Sequence, residues 1–154
     1  MLVTRIPVEG AELVVINFHL EAYDDGAGKT AQTQQLLDLV AEEYGKGNYV
    51  IAGGDFNQIF PGVQTDLKPT SGWVPGYLDP LPQEMEGWRY VYDDSVPTCR
   101  LLNQPYAPED PLTQYYVIDG FLVSPNVEVL ELETLDEGFR YSDHNPVVME
   151  VSLR

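Results

Sequence analysis

The sequence predicts an α/β domain in which one helix connects two strands and packs on their sheet. Two observations indicate this fold class. An alternating segment, Glu12 to Leu20, and an apolar run, Tyr49 to Ala52, flank a stretch whose apolar residues recur four apart. The chain has 154 residues, of which 44% are hydrophobic, enough for one domain with a core. We therefore expect a single domain over residues 1–154.

The amino-terminal residues predict a β-hairpin. Leu2 to Val8 ends at the turn signal Glu9-Gly10, and Glu12 to Leu20 then resumes as a strand. Both faces of this second strand are apolar at first, so we expect it to be covered on both sides. It becomes polar only toward its end, at Asn17 and His19.

A helix is predicted after the loop Asp24 to Gly28, with Thr30 as its N-cap. Its buried stripe consists of residues four apart, namely Leu36, Val40 and Tyr44. The helix ends at Gly45 and Gly47, and the strand Asn48 to Ala52 completes a strand-helix-strand unit.

Nine prolines between residues 59 and 111 rule out long elements there, apart from a short strand around Trp88 to Tyr92. Aromatic residues of this segment either line a substrate entrance or fill a loop-rich satellite core, namely Trp73, Tyr77, Trp88, Tyr90 and Tyr92. The pattern leaves both interpretations open. Strands are predicted again at Gln114 to Ser124, Val127 to Glu133 and Pro146 to Leu153.

The composition limits the choice of partner and compartment. Twenty-five acidic residues against 8 basic ones give a net charge of −17, which disfavours a polyanionic duplex and favours divalent cations. The single Cys99 excludes an intrachain disulfide. No run of 18 apolar residues and no charged-then-apolar leader is present, so we expect no membrane span or secretion signal in this chain, and its location stays open.

Four short motifs carry the chemistry, because each places a polar residue at or just beyond the end of an apolar strand. They are Asn17-Phe18-His19-Leu20, Gly54-Asp55-Phe56-Asn57, Ile118-Asp119-Gly120-Phe121 and Ser142-Asp143-His144-Asn145-Pro146. All four could converge on one rim of a sheet. Any single one has an ordinary structural explanation, such as a satisfied core histidine or an aspartate that holds a turn.

These residue types are suited to hydrolysis. His144 can take a proton from water, while a carboxylate such as Asp119 fixes its tautomer and stabilises the imidazolium that forms. The oxygens of Asp55, Asn57 and Asp143 can orient water, hold a hard cation or bind a phosphoryl group. A donor to a developing anionic oxygen is available in His19.

The ordered motif set resembles the endonuclease/exonuclease/phosphatase superfamily, which includes deoxyribonuclease I, abasic-site endonucleases, inositol polyphosphate 5-phosphatases and neutral sphingomyelinases. The resemblance runs from about Glu12 to the carboxyl terminus. It implies a four-layer α/β/β/α sandwich with a mixed, mostly antiparallel sheet. It also implies a divalent-metal-dependent phosphodiesterase or phosphatase, with Mg²⁺ as cofactor and Mn²⁺ as the alternative.

The resemblance also implies roles for individual residues. Asp119 resembles the carboxylate that orients the general base, His144, and Asp143 resembles a metal ligand beside that base. Asp55 and Asn57 resemble the pair that positions phosphate and water, and they are also expected to ligate the metal.

Three further residues complete the expected site. His19 resembles the second histidine that the deoxyribonuclease I and sphingomyelinase branches use on the phosphate. Asn17 and Asn145, which lie within the same motifs, are expected to bind the substrate.

One departure from the family pattern matters. Members of the family carry a metal-binding Asn and Glu on strands far upstream of the His-Leu motif, whereas 18 residues precede His19 here. Neither Glu9 nor Glu12 matches that Glu, so the chain resembles the carboxyl-terminal half of such an enzyme. Half a two-sheet sandwich leaves an apolar sheet face uncovered. We therefore expect the chain to dimerise or to bind its missing amino-terminal half.

The charge balance favours a phosphorylated small molecule or a lipid head group over duplex DNA as the substrate. The loops supply too few cations for a clear DNA track, namely Lys29, Lys68, Arg89 and Arg100. The alternatives are a nuclease of the same superfamily and a noncatalytic binding module that retains the fold.

Overall fold

The computed structural model describes residues 1–23, 26–69 and 72–154. The described elements are β1 (Leu2–Val8), β2 (Ala11–His19), α1 (Ala27–Gly45), β3 (Tyr49–Asp55), β4 (Gln58–Ile59), β5 (Gly76–Tyr77), a 3₁₀ turn (Gln83–Met85), β6 (Arg89–Val91), β7 (Cys99–Arg100), β8 (Tyr115–Tyr116), β9 (Asp119–Val123), β10 (Val127–Thr134) and β11 (Val147–Leu153).

The main sheet has five strands in the order β1-β2-β3-β9-β6. Strands β2 and β3 run parallel and are connected by α1, while the other three pairs are antiparallel. The predicted hairpin and the predicted strand-helix-strand unit are therefore both confirmed. A mixed, mostly antiparallel sheet with one flanking helix is half of the expected four-layer sandwich.

Helix α1 covers one face of the main sheet. Val14 and Ile16 of β2 are fully buried there together with Leu36 and Val40 of the helix. Burial of this stripe, rather than the local propensity of a polar helix, holds α1 in place. Among the described residues, no helix has the length and apolar character that a membrane crossing requires.

The predicted start of the helix was wrong. The helix begins at Ala27, after Gly26 in a left-handed conformation with φ of 103°. Thr30 lies inside the first turn, and its hydroxyl donates a 2.9 Å hydrogen bond to the Gly26 carbonyl instead of capping the helix. The predicted loop Asp24 to Gly28 is thus shortened by its last two residues, and its first two lie outside the described residues.

The opposite face of the sheet is only partly covered. The hairpin of β10 and β11 packs there through Val127, Met149 and Val151, against Ile51 and Val123 of the sheet. This packing forms a second, smaller core between two sheets.

The amino-terminal edge of that face has no such cover. Leu2 is 66% exposed and Ile6 is 45% exposed on β1, while Leu13 and Val15 of β2 are half-buried. The expectation that β2 is covered on both sides was therefore wrong. The apolar inner face of the half-sandwich continues beyond the hairpin that partly covers it.

The aromatic residues of the irregular segment mostly pack into the core, and a role in substrate entry stays a prediction. Tyr90 and Tyr92 pack with Phe56 and Phe60, with Phe60 and Tyr92 stacked at 4.5 Å. Trp88 packs edge-on against Tyr44 of the helix and is also part of the core, whereas Tyr77 is 61% exposed. Only Trp73 lines the cavity described below.

The predicted strand Gln114 to Ser124 is two strands, β8 and β9. β8 pairs with β7 in a separate ribbon, while β9 joins the main sheet. The break falls at Val117 and Ile118, where the Ile118 carbonyl accepts a hydrogen bond from the Phe56 amide.

A buried carboxylate connects β1 to the helix. The side chain of Glu43 is 2% exposed and accepts hydrogen bonds from Arg5 at 2.7 Å, Lys46 at 2.6 Å and Asn48 at 3.2 Å. The hydrogen bond from Arg5, against the opposing effect of burial, lowers the pKa of Glu43 to about 2.

We expect Glu43→Gln to lower the free energy of unfolding by about 1–2 kcal/mol at neutral pH, because the charge-assisted bonds are lost. A folded-state pKa below the usual 4.5 means that this stabilisation is present above about pH 4.5 and is lost as the pH falls toward 2. Urea unfolding at several pH values tests this. Glu42→Gln, at a 67% exposed side chain that pairs only with Lys46, is the control and should change the value by less than about 0.5 kcal/mol. Equal effects of the two variants would contradict the prediction.

Candidate active site

Strand register brings three of the predicted residues into one row. Asp55 is the last residue of β3, and it lies opposite His19 on one side and Asp119 on the other. The Asp55 carbonyl accepts a 2.9 Å hydrogen bond from the Leu20 amide, which continues the pairing past the end of β2. Three motifs that are far apart in sequence therefore end on one rim of the sheet, as predicted.

Gly54 makes this rim possible. Its backbone passes so close to β2 that a Cβ atom would overlap the carbonyl oxygen of Phe18 and lie 2.9 Å from its carbonyl carbon. The residue also has a φ of 157°. Only glycine fits such a close approach between two strands.

A histidine–carboxylate pair forms the centre of the site. Nδ1 of His144 lies 2.8 Å from Oδ2 of Asp119, at hydrogen-bond distance. Burial of the imidazole opposes protonation, but the hydrogen bonds to Asp119 and Cys99 outweigh it and raise the pKa of His144 above its ordinary value. Asp119 can therefore hold Nδ1 protonated, which leaves Nε2 directed to other partners.

Thr98 fixes the two halves of this pair relative to each other. Its hydroxyl accepts hydrogen bonds from the amides of Ile118, at 3.0 Å, and Asp119, at 3.1 Å. Its carbonyl accepts a 2.8 Å bond from the Asn145 amide, and the adjacent Cys99 forms a β-bridge with His144. Sequence reasoning missed Thr98, because a lone threonine in a proline-rich segment gives no signal.

Asp55 completes the centre. Its Oδ2 lies 3.7 Å from Nε2 of His19 and 3.8 Å from Nε2 of His144, while Oδ1 accepts a 2.7 Å bond from the Asn57 amide. Burial, together with the charge of Asp119, raises the pKa of Asp55 to about 6. Two carboxylates therefore share a partly buried site, in which the charge of His144 opposes their repulsion.

Asp55, Asp119 and His144 could hold a metal ion, since each offers a ligand atom within 4.8 Å of the others. Asn57 adjoins these residues and has a positive φ of 49°. It is 4% exposed, and its side-chain Nδ2 donates a 2.8 Å hydrogen bond to the Leu20 carbonyl. Its amide oxygen has no hydrogen-bond donor among the described residues. Carboxylate and amide oxygens are the hard donors that Mg²⁺ and Mn²⁺ prefer.

The predicted residues do not all share one cavity. A cavity of about 410 Å³ is lined by His19, Asp55, Asn57, Asp143 and His144. Asp143 is half-buried, and among the described residues its carboxylate accepts one long hydrogen bond, of 3.5 Å, from the Ser142 hydroxyl.

Asn17 and Asn145 line a different cavity, of about 310 Å³, next to the inner sheet face. Asn145 is 3% exposed, and its amide bonds the Pro97 carbonyl and the Glu137 amide. Asn17 is exposed and makes a 3.4 Å bond to the Gly53 carbonyl. A substrate contact by either residue stays a prediction.

The large cavity also has walls outside the four motifs, and of these wall residues sequence analysis had offered Trp73 as one lining residue. Tyr23 and Trp73 form one wall, with ring centroids 6.0 Å apart, and the indole nitrogen donates to the Ala22 carbonyl at 2.7 Å. Cys99 and Arg100 contribute to the other wall. None of these residues lies in a recognisable motif.

Comparison with solved structures identifies the fold. The chain is similar to a conserved protein of unknown function from Enterococcus faecalis V583, with 19% identity and a TM-score of 0.57. It is also similar to truncated TDP2 from Caenorhabditis elegans, at 17% identity and a TM-score of 0.56, and to D. rerio TDP2 complexed with a single strand DNA product, at 20% and 0.54.

These matches cover 94%, 94% and 97% of this chain but only 52%, 56% and 60% of the respective solved chains. The chain thus spans about half the length of the structures it matches. Comparison with protein-family models and with curated protein sequences finds no match. The likeness therefore concerns the fold.

Proposed function

We propose that this chain carries the His–Asp half of a divalent-metal-dependent phosphoester hydrolase. One observation carries the proposal: His144, which pairs with Asp119 at 2.8 Å, lies beside Asp55 on a cavity large enough for a small phosphoester. A base, an orienting carboxylate and hard oxygen donors are the groups that water attack on phosphorus requires. The motif resemblance and the fold shared with the two TDP2 structures support the same reaction class.

The proposed mechanism assigns each side chain one task. Nε2 of His144 accepts a proton from the attacking water, and Asp119 stabilises the imidazolium that results. His19, whose side chain is 72% exposed, donates a hydrogen bond to the phosphoryl oxygen.

Mg²⁺ is the proposed cofactor, with Mn²⁺ as the alternative. Asp55 and Asn57 would hold it through their carboxylate and amide oxygens, and Asp143 is the further ligand expected from the motif. When bound, the cation offsets the carboxylate charges that favour imidazolium at His144 and stabilises the negative charge that develops on the phosphoryl oxygens. The raised pKa values of Asp55 and His144 indicate a site that is too negative by itself.

We also propose that the uncovered sheet face binds a further half of the enzyme. Leu2 and Ile6 are exposed on that face, next to a cavity lined by Asn17, and the matched structures are about twice as long as this chain. A homodimer that buries the same face is the alternative partner. In either case the substrate is a phosphorylated small molecule or lipid head group, because a net charge of −17 repels long polyanions.

A nuclease is the second candidate. The observation that favours it is the similarity to the D. rerio TDP2 structure, which contains a single strand DNA product. A noncatalytic binding module is the candidate from another class, and it predicts ligand binding without turnover.

Hydrolysis assays separate these possibilities. Bis-p-nitrophenyl phosphate and p-nitrophenyl phosphate are offered with magnesium or with chelator, to this chain and to the product of the reading frame extended upstream. We expect metal-dependent hydrolysis by the extended protein and little by this chain alone. Full metal-dependent turnover by this chain alone would contradict the need for a second half. Binding of phosphate esters by the extended protein without turnover would favour the noncatalytic module.

A further inference from the structure

We propose that Arg100 binds a second phosphate group of the substrate, in addition to the phosphoryl group at His144 and Asp55. This inference rests on the proposed function, because it uses the same cavity. It narrows the substrate class to bisphosphorylated compounds, in which one phosphate is held by Arg100 while the other is hydrolysed.

The backbone of Arg100 is fixed next to the proposed base. Its amide donates a 2.9 Å hydrogen bond to the Asp143 carbonyl, and the residue pairs with Tyr115 across the β7–β8 ribbon. The preceding residue, Cys99, forms the bridge to His144. Arg100 thus lines the cavity from a rigid strand rather than from a loose loop.

The guanidinium of Arg100 has no carboxylate partner within 4.0 Å among the described residues. In this chain with 25 acidic and 8 basic residues, Arg5, Lys46, Lys68 and Arg154 pair with carboxylates, whereas Arg100 does not. Its Nε is also buried without a hydrogen-bond acceptor. Buried donors are normally paired, and an ordered water or an oxygen of a bound ligand would each supply the acceptor that the chain does not.

The plane of the guanidinium is held in advance. It lies 4.6 Å from the ring centroid of Tyr106, in a cation–π contact. Its fork of N–H groups matches two phosphate oxygens, whereas a lysine would offer a point charge. Arg100 makes no ion pair with Asp55, Asp119 or Asp143, so these carboxylates leave its charge available to an anionic group in the same cavity.

Binding of matched phosphate pairs tests the proposal independently of catalysis. Isothermal titration in magnesium buffer of constant ionic strength compares thymidine 3′,5′-bisphosphate with thymidine 5′-monophosphate, and fructose 1,6-bisphosphate with fructose 6-phosphate. We expect a bisphosphate to bind the wild-type chain about tenfold more tightly than its monophosphate. Tighter binding of the bisphosphate in the nucleotide pair alone identifies a nucleotide substrate. Tighter binding of the bisphosphate in both pairs identifies recognition of the phosphate groups only.

Arg100→Gln should reduce that ratio to about one, and Arg100→Lys should restore part of it, because charge remains without the fork. The control is Arg89→Gln, which removes the same charge from a side chain that bonds the Val127 carbonyl away from this cavity. It should leave the ratio unchanged.

A wild-type ratio near one in both pairs, an unchanged ratio in Arg100→Gln or no binding of any of these phosphates would overturn the proposal. If the affinity ratio depends on Arg100 but the protein hydrolyses no phosphoester, the second phosphate site is retained and the proposed hydrolysis is refuted.

Discussion

Replacing His144 with alanine is expected to lower the kcat of the metal-loaded, extended enzyme about 10³- to 10⁴-fold, because the proton acceptor for water is removed. The Asp119 carboxylate at 2.8 Å then has no imidazole to orient. Initial rates on the preferred p-nitrophenyl ester, at saturating magnesium, measure the effect. The unfolding midpoint should change little, because the imidazole lies at the cavity rather than in the core.

His19→Ala is the matched variant, since it removes the other histidine that faces Asp55. Among the described residues, His19 has no carboxylate at hydrogen-bond distance, and its side chain is 72% exposed, so it lacks an orienting partner like the one His144 has in Asp119. Its loss should cost less, about 10²-fold, through weaker stabilisation of the phosphoryl oxygen. Survival of turnover in His144→Ala, or a larger loss in His19→Ala, would show that the base has been assigned to the wrong histidine.

The rim of the site was predictable because strand ends carry a strong signal. Apolar runs that end in His19 and Asp55 define β2 and β3, and Asp119 begins the antiparallel strand β9, so register brings the three together. His144 was predictable for another reason, since the Ser-Asp-His motif precedes the last strand directly.

The remainder of the site depends on contacts that a local pattern does not reveal. Thr98 and Arg100 lie in a proline-rich segment with two-residue strands, and their positions follow from pairing with β8 and with the residues around His144. The helix start was misplaced because Gly26 takes a left-handed conformation that makes a side-chain cap at Thr30 unnecessary. Tertiary pairing thus decided the positions of Thr98 and Arg100, whereas a local glycine conformation decided the helix start.

The Gly53-Gly54 pair links fold and site, and Gly54→Ala is therefore expected to destabilise the protein by about 3 kcal/mol or more. The new methyl group would overlap the Phe18 carbonyl oxygen, and relief of that overlap requires β2 and β3 to separate. Separation of these strands also displaces His19 from Asp55, so the site should be lost together with stability. Urea unfolding followed by circular dichroism measures the first effect, and phosphate binding measures the second.

Gly45→Ala provides the control for the same substitution. Gly45 is the last residue of α1, and a Cβ atom there meets nothing within 4 Å. Alanine should be neutral or stabilise the protein by up to about 1 kcal/mol, because it lowers the entropy of the unfolded chain and favours the helix. If the free energy of unfolding falls in Gly54→Ala but not in Gly45→Ala, the close approach of β3 to β2 is the reason for glycine at position 54. An unchanged urea midpoint for Gly54→Ala would show that β2 and β3 do not approach as closely as the structure indicates. The placement of His19, Asp55 and Asp119 in one row would then be wrong.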